Sequence, residues 1–243
     1  SNTAKVHSIL KDRVGNMWLA IYQKGVMMIP AQPNKFNYMG SKSVSANIIG
    51  SKCITSVYRD RSGMLWVGTD NDGVYGISMS SKQRVHYTHT ASPTSVPPTV
   101  FGLYEDSESN LWFGSYSNGM GRLYRRTGRC TYLNQLISEY GNNGKRVYGF
   151  AEDRNKRLWI ATMGAGLFYY DLKSNKLVLD KVANRQVNKW ICCLYYSRDN
   201  KVYCGTYDGM TCIDLSKPGY PSYKLMSRHI ILSLYEDKQG LIW

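Results

Sequence analysis

The sequence contains no apolar run of about 18 residues, the length that a membrane-spanning helix requires. Its six cysteines form no C-x-x-C pair and no spacing typical of a zinc site, so the sequence predicts neither a metal site nor a cofactor. Acidic residues are few, 17 against 31 basic ones, which gives a net charge of +14. The basic residues are scattered without a run of five or more, which argues against a nucleic-acid-binding arm. We therefore expect no direct nucleic-acid binding.

One phrase recurs along the whole chain, typified by YRDRSGMLWVGT at residues 58–69. Its copies are centred on six anchors, namely Trp18, Trp66, Trp112, Trp159, Tyr203 and Trp243. Successive anchors lie 48, 46, 47, 44 and 40 residues apart, and a period of about 40–50 residues is typical of propeller blades. The sequence therefore predicts an all-β fold, a β-propeller of four-stranded antiparallel blades. Residues 1–243 would form a single partial propeller of about five and a half blades, within a parent that we expect to have seven.

Each copy carries an acidic residue six positions before its anchor, except the fifth, which has Ser197. These residues are Asp12, Asp60, Asp106, Asp153 and Asp237. In three copies a glycine follows three residues later, and Asp first with Gly fourth is the preference of a type I turn. We interpret these aspartates as structural turn residues. No nucleophile–base pair stands out beside them, so the sequence predicts no catalytic residue and a binding module instead of an enzyme.

The innermost strand of each blade is predicted just before the turn. Apolar residues occupy the ninth and twelfth positions upstream of every anchor, as Val57 and Ile54 do in the second copy. A small residue lies between them in each copy, such as Ser56 or Gly102. Small side chains suit the strand that lines the central channel of a propeller.

The phrases from Asp60 to Thr69 and from Asp153 to Thr162 resemble the two-component regulator propeller repeat. In that family such repeats form the periplasmic sensor region of hybrid two-component systems of Bacteroidetes, ahead of a membrane helix and a histidine kinase. The resemblance implies a periplasmic, ligand-sensing module whose ligand is an oligosaccharide. It also makes a homodimer of the full-length sensor one of the expected assemblies.

Streptogramin-lyase propellers share a similar phrase and are enzymes, so they are the main alternative, beside a generic protein-interaction propeller. They need a catalytic histidine, and this chain has His7, His86, His89 and His229. Residues 86 and 89 form an H-x-x-H, but side chains three apart on a strand point to opposite faces. That spacing argues against a metal pair.

The expected ligand surface follows from the order of the strands. In antiparallel blades the aspartate turns share one face, and the loops between second and third strands, with the connections between blades, share the other. The candidate ligand residues on that second face are Tyr22, Lys24, Asp70, Asn71, Tyr116, Asn118, Arg146, Lys189, Trp190, Tyr207, Arg228 and His229. Aromatic rings can stack on sugars and arginine can bind carboxylate or sulfate. With the net charge of +14, we expect an acidic oligosaccharide.

Overall fold

The structure, a computed structural model, describes residues 6–21, 23, 25–32, 39, 49–50, 53–78, 81, 83–133, 135–185 and 187–243. Internal contacts divide the chain into two units, residues 1–49 and residues 50–243. Each unit is described by itself. The expectation that residues 1–243 form a single propeller stays a prediction.

The first unit contains one three-stranded antiparallel sheet. Its strands are β1 (Val6–Lys11), β2 (Met17–Ile21) and β3 (Gly25–Ile29). The fourth strand expected for this copy would fall on residues outside the described ranges. Trp18 is 38% exposed here, unlike its counterparts in the second unit.

The second unit contains four sheets of four antiparallel strands, each in simple chain order. The first sheet is β4 (Ile54–Arg59), β5 (Met64–Thr69), β6 (Val74–Ser78) and β7 (Arg84–Tyr87). The second is β8 (Val100–Glu105), β9 (Leu111–Ser115), β10 (Met120–Tyr124) and β11 (Arg129–Leu133). The third is β12 (Val147–Glu152), β13 (Arg157–Thr162), β14 (Leu167–Asp171) and β15 (Lys176–Leu179). The fourth is β16 (Ile191–Tyr196), β17 (Lys201–Thr206), β18 (Gly209–Asp214) and β19 (Ser222–Met226). The predicted four-stranded antiparallel blade is confirmed.

Short helices occur in the connections between blades. Two of them, α1 (Gln135–Tyr140) and α2 (Asn142–Lys145), follow β11, and a 3-10 turn at Ala183–Arg185 follows β15. None of the helices in the described ranges is long and apolar enough to cross a membrane.

The turn between the first two strands of a blade is held by its aspartate. In the second copy the backbone N–H of Gly63 donates to the carbonyl of Asp60 at 2.9 Å, as a type I turn requires. The Asp60 carboxylate accepts the N–H of Met64 at 2.9 Å and the indole Nε1–H of Trp66 at 2.8 Å. The indole bond recurs in every copy that has both residues, at 2.7–3.0 Å. The aspartate therefore fixes the anchor ring as well as the turn, which sequence analysis did not foresee.

The core of the second unit lies between consecutive blades. Three apolar clusters each join one blade to the next, and the anchor rings of Trp66, Trp112 and Trp159 belong to one cluster each. These three rings are 0–1% exposed. The first strands also pack in succession, β4 against β8, β8 against β12 and β12 against β16. The first strands are therefore innermost, as the small residues within them predict.

A second contact between blades repeats on the side of the aspartate turns. In each copy the turn residue is the aspartate six positions before the anchor, or Ser197 in the fifth copy. The residue that follows it donates its backbone N–H to the side chain of the residue just before the turn residue of the next blade. Arg61 donates to Glu105 at 2.8 Å, and Ser107 donates to Glu152 at 2.6 Å. Arg154 donates to the Tyr196 hydroxyl at 3.3 Å, and the Arg198 N–H donates to Glu236 at 3.2 Å. Each turn is thereby tied to its neighbour.

Every pairing of first and second strands contains a bulge near its start. The register shifts between Ile54 and Ser56, between Val100 and Gly102, between Val147 and Gly149, and between Ile191 and Cys193. A bulge leaves one residue unpaired and redirects its side chain. The unpaired residues are Thr55, Phe101, Tyr148 and Cys192.

The sixth copy forms a turn without extended strands. The N–H of Gly240 donates to the Asp237 carbonyl at 3.1 Å and the Trp243 indole donates to Asp237 at 2.9 Å. Glu236 and Ile242 form a single antiparallel bridge. This copy thus shows one bridge where the sequence predicted two strands.

The indole–carboxylate bond can be tested by comparing its buried and exposed copies. Asp106→Ala leaves the fully buried Trp112 N–H without an acceptor, and we expect a loss of about 3 kcal/mol in the free energy of unfolding. Asp237→Ala removes the corresponding two backbone bonds and the indole bond where Trp243 is 72% exposed, so the urea midpoint should barely move. Equal effects of the two substitutions on that midpoint would contradict the role assigned to burial.

Candidate functional site

The two faces of the second unit differ in how their charges are compensated. The turn face carries the aspartate turns and the turns between third and fourth strands. The loop face carries the loops between second and third strands and the connections between blades. Both faces belong to residues 50–243.

On the turn face, arginines pair with buried carboxylates. Arg125 donates to Asp60 at 2.7 Å and to Glu105 at 2.5 Å, and its guanidinium lies 5.5 Å from the centre of the Trp66 ring. Arg61 adds a second ion pair to Glu105 at 3.2 Å. Further along, the Arg157–Asp153 pair measures 2.6 Å and the Arg198–Glu236 pair 3.2 Å. Much of the basic charge on this face is therefore neutralised within the protein.

These pairs shift the acidities of the carboxyl groups. Burial alone would raise the pKa of Glu105, but the N–H of Arg61 and the guanidinium groups of Arg125 and Arg61 outweigh it and hold the pKa below its ordinary value. Burial also acts to raise the pKa of Asp60, and the bonds from Ser62, Trp66 and Met64 with the charge of Arg125 lower it overall. Both groups are thus stabilised as carboxylates.

On the loop face, Arg146 lies among aromatic rings. Its guanidinium is 5.3 Å from the centre of the Tyr116 ring. The Tyr116 ring is 6.1 Å from that of Phe101, which stacks on Tyr148 at 4.5 Å. Burial raises the pKa of Tyr148, the hydroxyls of Tyr207 and Tyr116 raise it further, and the charge of Arg146 opposes them. Aromatic residues of consecutive blades therefore meet here.

A second pair of rings continues this cluster on the next blade. Trp190 and Tyr207 are arranged edge to face with centres 6.5 Å apart, and the Tyr207 N–H donates to the Trp190 carbonyl at 3.3 Å. The preceding residue, Lys189, accepts the N–H of Gly164 at 2.8 Å through its carbonyl. Trp190, Tyr207 and Tyr116 are each about half exposed, at 45%, 52% and 48%. Large rings are thus presented to solvent on this face.

The remaining predicted residues lie outside this cluster. Asp70 accepts the Thr99 hydroxyl at 2.9 Å, and Asn71 adopts a left-handed turn conformation with φ of 67°. The Arg228 N–H donates to Asp208 at 3.1 Å, and His229 Nδ1 lies 2.8 Å from the Ser227 carbonyl oxygen. The N–H of Asn118 donates to the Ser115 hydroxyl at 2.7 Å. Predicted residues Tyr22 and Lys24 are outside the described residues.

The structure thus brings together four of the predicted residues, which are Tyr116, Arg146, Trp190 and Tyr207, and the backbone of Lys189 lies beside Trp190. It also adds Phe101 and Tyr148, which the sequence reasoning missed. Both are the unpaired residues of strand bulges. A signal for them was present, because apolar residues of each first strand, such as Val100 and Leu103, recur at a spacing of three where a regular strand requires two.

The basic residues of this cluster lack the partners found on the turn face. In the described part of the chain, no carboxylate forms an ion pair with Arg146 or Lys189. Asp208, beside Arg228, is already paired with Lys224 at 2.7 Å. The cluster therefore combines uncompensated positive charge with exposed aromatic rings.

The cluster lies at the rim of a central cleft of about 500 Å³. Phe101 and Tyr148 line both the cluster and the cleft. The rest of the cleft is formed by the first strands β4, β8, β12 and β16 and by residues 233–235. Its lining combines apolar side chains such as Leu103 and Leu194 with polar ones such as Arg59.

The described histidines and cysteines are of residue types that can serve catalysis or metal binding, and their contacts are those of packing and hydrogen bonding within the protein. His86 stacks on Tyr75 with ring centres 3.8 Å apart, and His89 lies 2.9 Å from the Val96 carbonyl oxygen. All six cysteines are free thiols, and burial raises the pKa of Cys130 to about 12. Among the residues that the structure describes, no three His, Cys, Asp or Glu side chains are grouped to hold a metal ion.

Comparisons with known proteins agree with this architecture. Residues 48–71, 96–117 and 141–164 match the two component regulator propeller family. These three segments contain the copies anchored at Trp66, Trp112 and Trp159, so the match confirms the resemblance seen in the repeated phrase. No curated protein matches the chain.

Solved structures match over nearly the whole chain. One is described as the extracellular domain of the hybrid two component system BT4673 from B. thetaiotaomicron, at 21% identity and a TM-score of 0.68, covering 98% of this chain and 34% of that one. The extracellular domain of BT3049 from the same organism matches at 18% and 0.64, covering 98% and 32%. A streptogramin B lyase matches at 14% and 0.58, covering 100% and 76%. The chain spans about a third of the length of the first two, and at these identities the likeness is one of fold.

The turn-face network predicts how stability depends on pH. In the folded protein the pKa values of Asp60 and Glu105 are lowered from their ordinary values, 3.8 and 4.5. Their contribution to the free energy of unfolding is therefore complete above those ordinary values. It is lost as the pH falls through the lowered pKa values. Arg125→Gln should lower the urea midpoint at pH 7 and flatten its decline below about pH 4.5. Urea titrations from pH 3 to 7 measure both effects.

The exposed neighbour provides the control for this experiment. Arg126→Gln removes the same charge from a side chain with no ion pair among the described residues, and should leave the pH profile unchanged. If the Arg125 variant gave a pH profile parallel to that of the wild type, Arg125 would not be a cause of the lowered pKa values of Asp60 and Glu105.

Proposed function

We propose that this chain is the ligand-binding part of an extracytoplasmic sensor in a hybrid two-component system, and that it recognises an acidic oligosaccharide on the loop face. The observation that carries the proposal is the pairing of uncompensated Arg146 and Lys189 with the exposed rings of Tyr116, Trp190 and Tyr207. A sugar offers flat C–H faces to such rings, and its carboxylate or sulfate offers a partner for the cations.

The setting of the site supports the sensor part of the proposal. The chain carries repeats of a two-component regulator family and shares its fold with extracellular domains of two such systems. A periplasmic location, signalling to a histidine kinase and a homodimer of the full-length sensor belong to the same proposal. Sensors on this plan need a binding surface more than a catalytic one, and loops on a rigid propeller supply it.

The charge part of the proposal predicts a salt-dependent affinity. Titration with oligogalacturonates and chondroitin sulfate oligosaccharides should give a weaker affinity at higher salt, because charge interactions are screened beyond about 8 Å at physiological ionic strength. Replacing Arg146, Lys189 and Arg228 together by glutamate should weaken binding about 1,000-fold or more, since each of the three lost charge-assisted bonds contributes about 1.4 kcal/mol or more. Isothermal titration calorimetry measures both.

A matched control places the same change of charge on the turn face. Arg126, Lys173 and Lys238 are exposed and form no ion pair among the described residues. Their replacement by glutamate should leave affinity within about twofold, because the added charges lie far from the loop face. Tight binding of a neutral glycan in place of the acidic ones, or equal losses in both triple variants, would overturn the proposal. So would turnover of a streptogramin abolished by His229→Ala or His86→Ala.

A further inference from the structure

Five aromatic side chains of the loop face form a row across three consecutive blades, here called the aromatic row. They are Tyr116, Phe101, Tyr148, Tyr207 and Trp190. Tyr116 and Tyr148 contact Phe101 at 6.1 Å and 4.5 Å between ring centres, and Trp190 contacts Tyr207 at 6.5 Å. The backbone of Met163, which donates to Arg146 and pairs with Trp190, joins the two groups of rings. Two basic residues accompany the row: the Arg146 guanidinium covers Tyr116, and Lys189 directly precedes Trp190 in the chain.

The row is held in place by backbone structure. Phe101 and Tyr148 owe their positions to the bulges of β8 and β12. Backbone bonds from Met163 to Arg146 at 2.9 Å, from Gly164 to Lys189 at 2.8 Å and from Tyr207 to Trp190 at 3.3 Å tie the connections between blades to the loops beside them. A surface fixed in this way loses little conformational freedom when a ligand binds.

The length of the row bears on the size of the ligand. A single sugar ring is about as wide as one aromatic ring, so it can cover only part of a row of five. Arg146 and Lys189 belong to successive connections between blades, and neither has a carboxylate partner among the described residues. A ligand that reaches both therefore extends over two blades, which favours acidic groups on different sugar units.

We propose that the aromatic row binds two successive units of an acidic oligosaccharide, the first over Phe101 and Tyr116 with its acidic group on Arg146, the second over Trp190 and Tyr207 with its acidic group on Lys189. This inference rests on the proposed function. It specifies the smallest ligand that fills the row and the residues that contact each of its two sugar units. Trp190 and Tyr207 become the residues that distinguish a disaccharide from a monosaccharide.

Galacturonic acid and its dimer and trimer, together with a chondroitin sulfate disaccharide, serve as probes in calorimetric titrations of the protein. The dimer should bind at least about tenfold more tightly than the monomer, and the trimer no more than slightly more tightly than the dimer. Trp190→Ala should weaken the dimer about tenfold and leave the monomer unchanged, because only the second unit reaches that ring. Arg146→Gln should weaken both.

Controls separate loss of stacking from other effects. Tyr207→Phe keeps the ring and should bind the dimer nearly as the wild type does, whereas Tyr207→Ala should resemble Trp190→Ala. Tyr223, a tyrosine 45% exposed on the outermost strand β19, provides a substitution to alanine that should affect neither probe. Trp190 and Tyr207 are half exposed, so these variants should keep the urea midpoint of the wild type.

The outcomes distinguish this inference from the proposed function. If acidic probes bind and depend on Arg146, but Trp190→Ala and Tyr207→Ala weaken monomer and dimer equally or not at all, the two-unit row is wrong and the sensor proposal stands. Monomer and dimer of equal affinity would also overturn the row. If none of the acidic probes binds, both proposals fail together.

Discussion

The hydrogen bond between a buried indole and the turn aspartate six residues before it is the interaction on which three of the four blades of the second unit depend. Trp66, Trp112 and Trp159 fill the space between one blade and the next, where an indole N–H without an acceptor would be costly. The same carboxylate accepts backbone N–H groups of its own turn. One side chain thereby closes a hairpin and fixes the ring that joins two blades, and repetition of this unit gives the propeller.

The distribution of carboxylates also decides where positive charge remains. On the turn face, Asp60, Glu105 and Asp153 already pair with arginines. Among the residues that the structure describes, no carboxylate pairs with Arg146, whose guanidinium lies over the Tyr116 ring instead. A net charge of +14 alone says nothing about position, because it does not tell which cations are compensated. Because cations are compensated on the turn face but not around Arg146, the uncompensated positive charge of this cluster lies on the loop face.

The ligand-facing cluster was only partly predictable from the sequence, for a physical reason. Tyr116, Arg146 and Trp190 lie in loops whose face follows from strand order, so sequence reasoning finds them. Phe101 lies within a strand, where alternation alone gives no sign that a bulge turns it toward the loop face. The spacing of three between the apolar residues Val100 and Leu103, repeated in every blade, is compatible with a bulge. It is equally compatible with a regular strand that is apolar on both faces, so it did not identify the bulge.

The sequence by itself determined the repeat, the four-stranded blade and the turns that close its inner hairpin, because these depend on residues within about one turn or strand of one another. Only the tertiary structure decided which side chains of different blades meet. Arg61 and Glu105 are 44 positions apart, and Phe101 and Tyr148 are separated by a similar distance along the chain. Such contacts depend on how one sheet packs against the next, and a local pattern of residue types does not specify that packing.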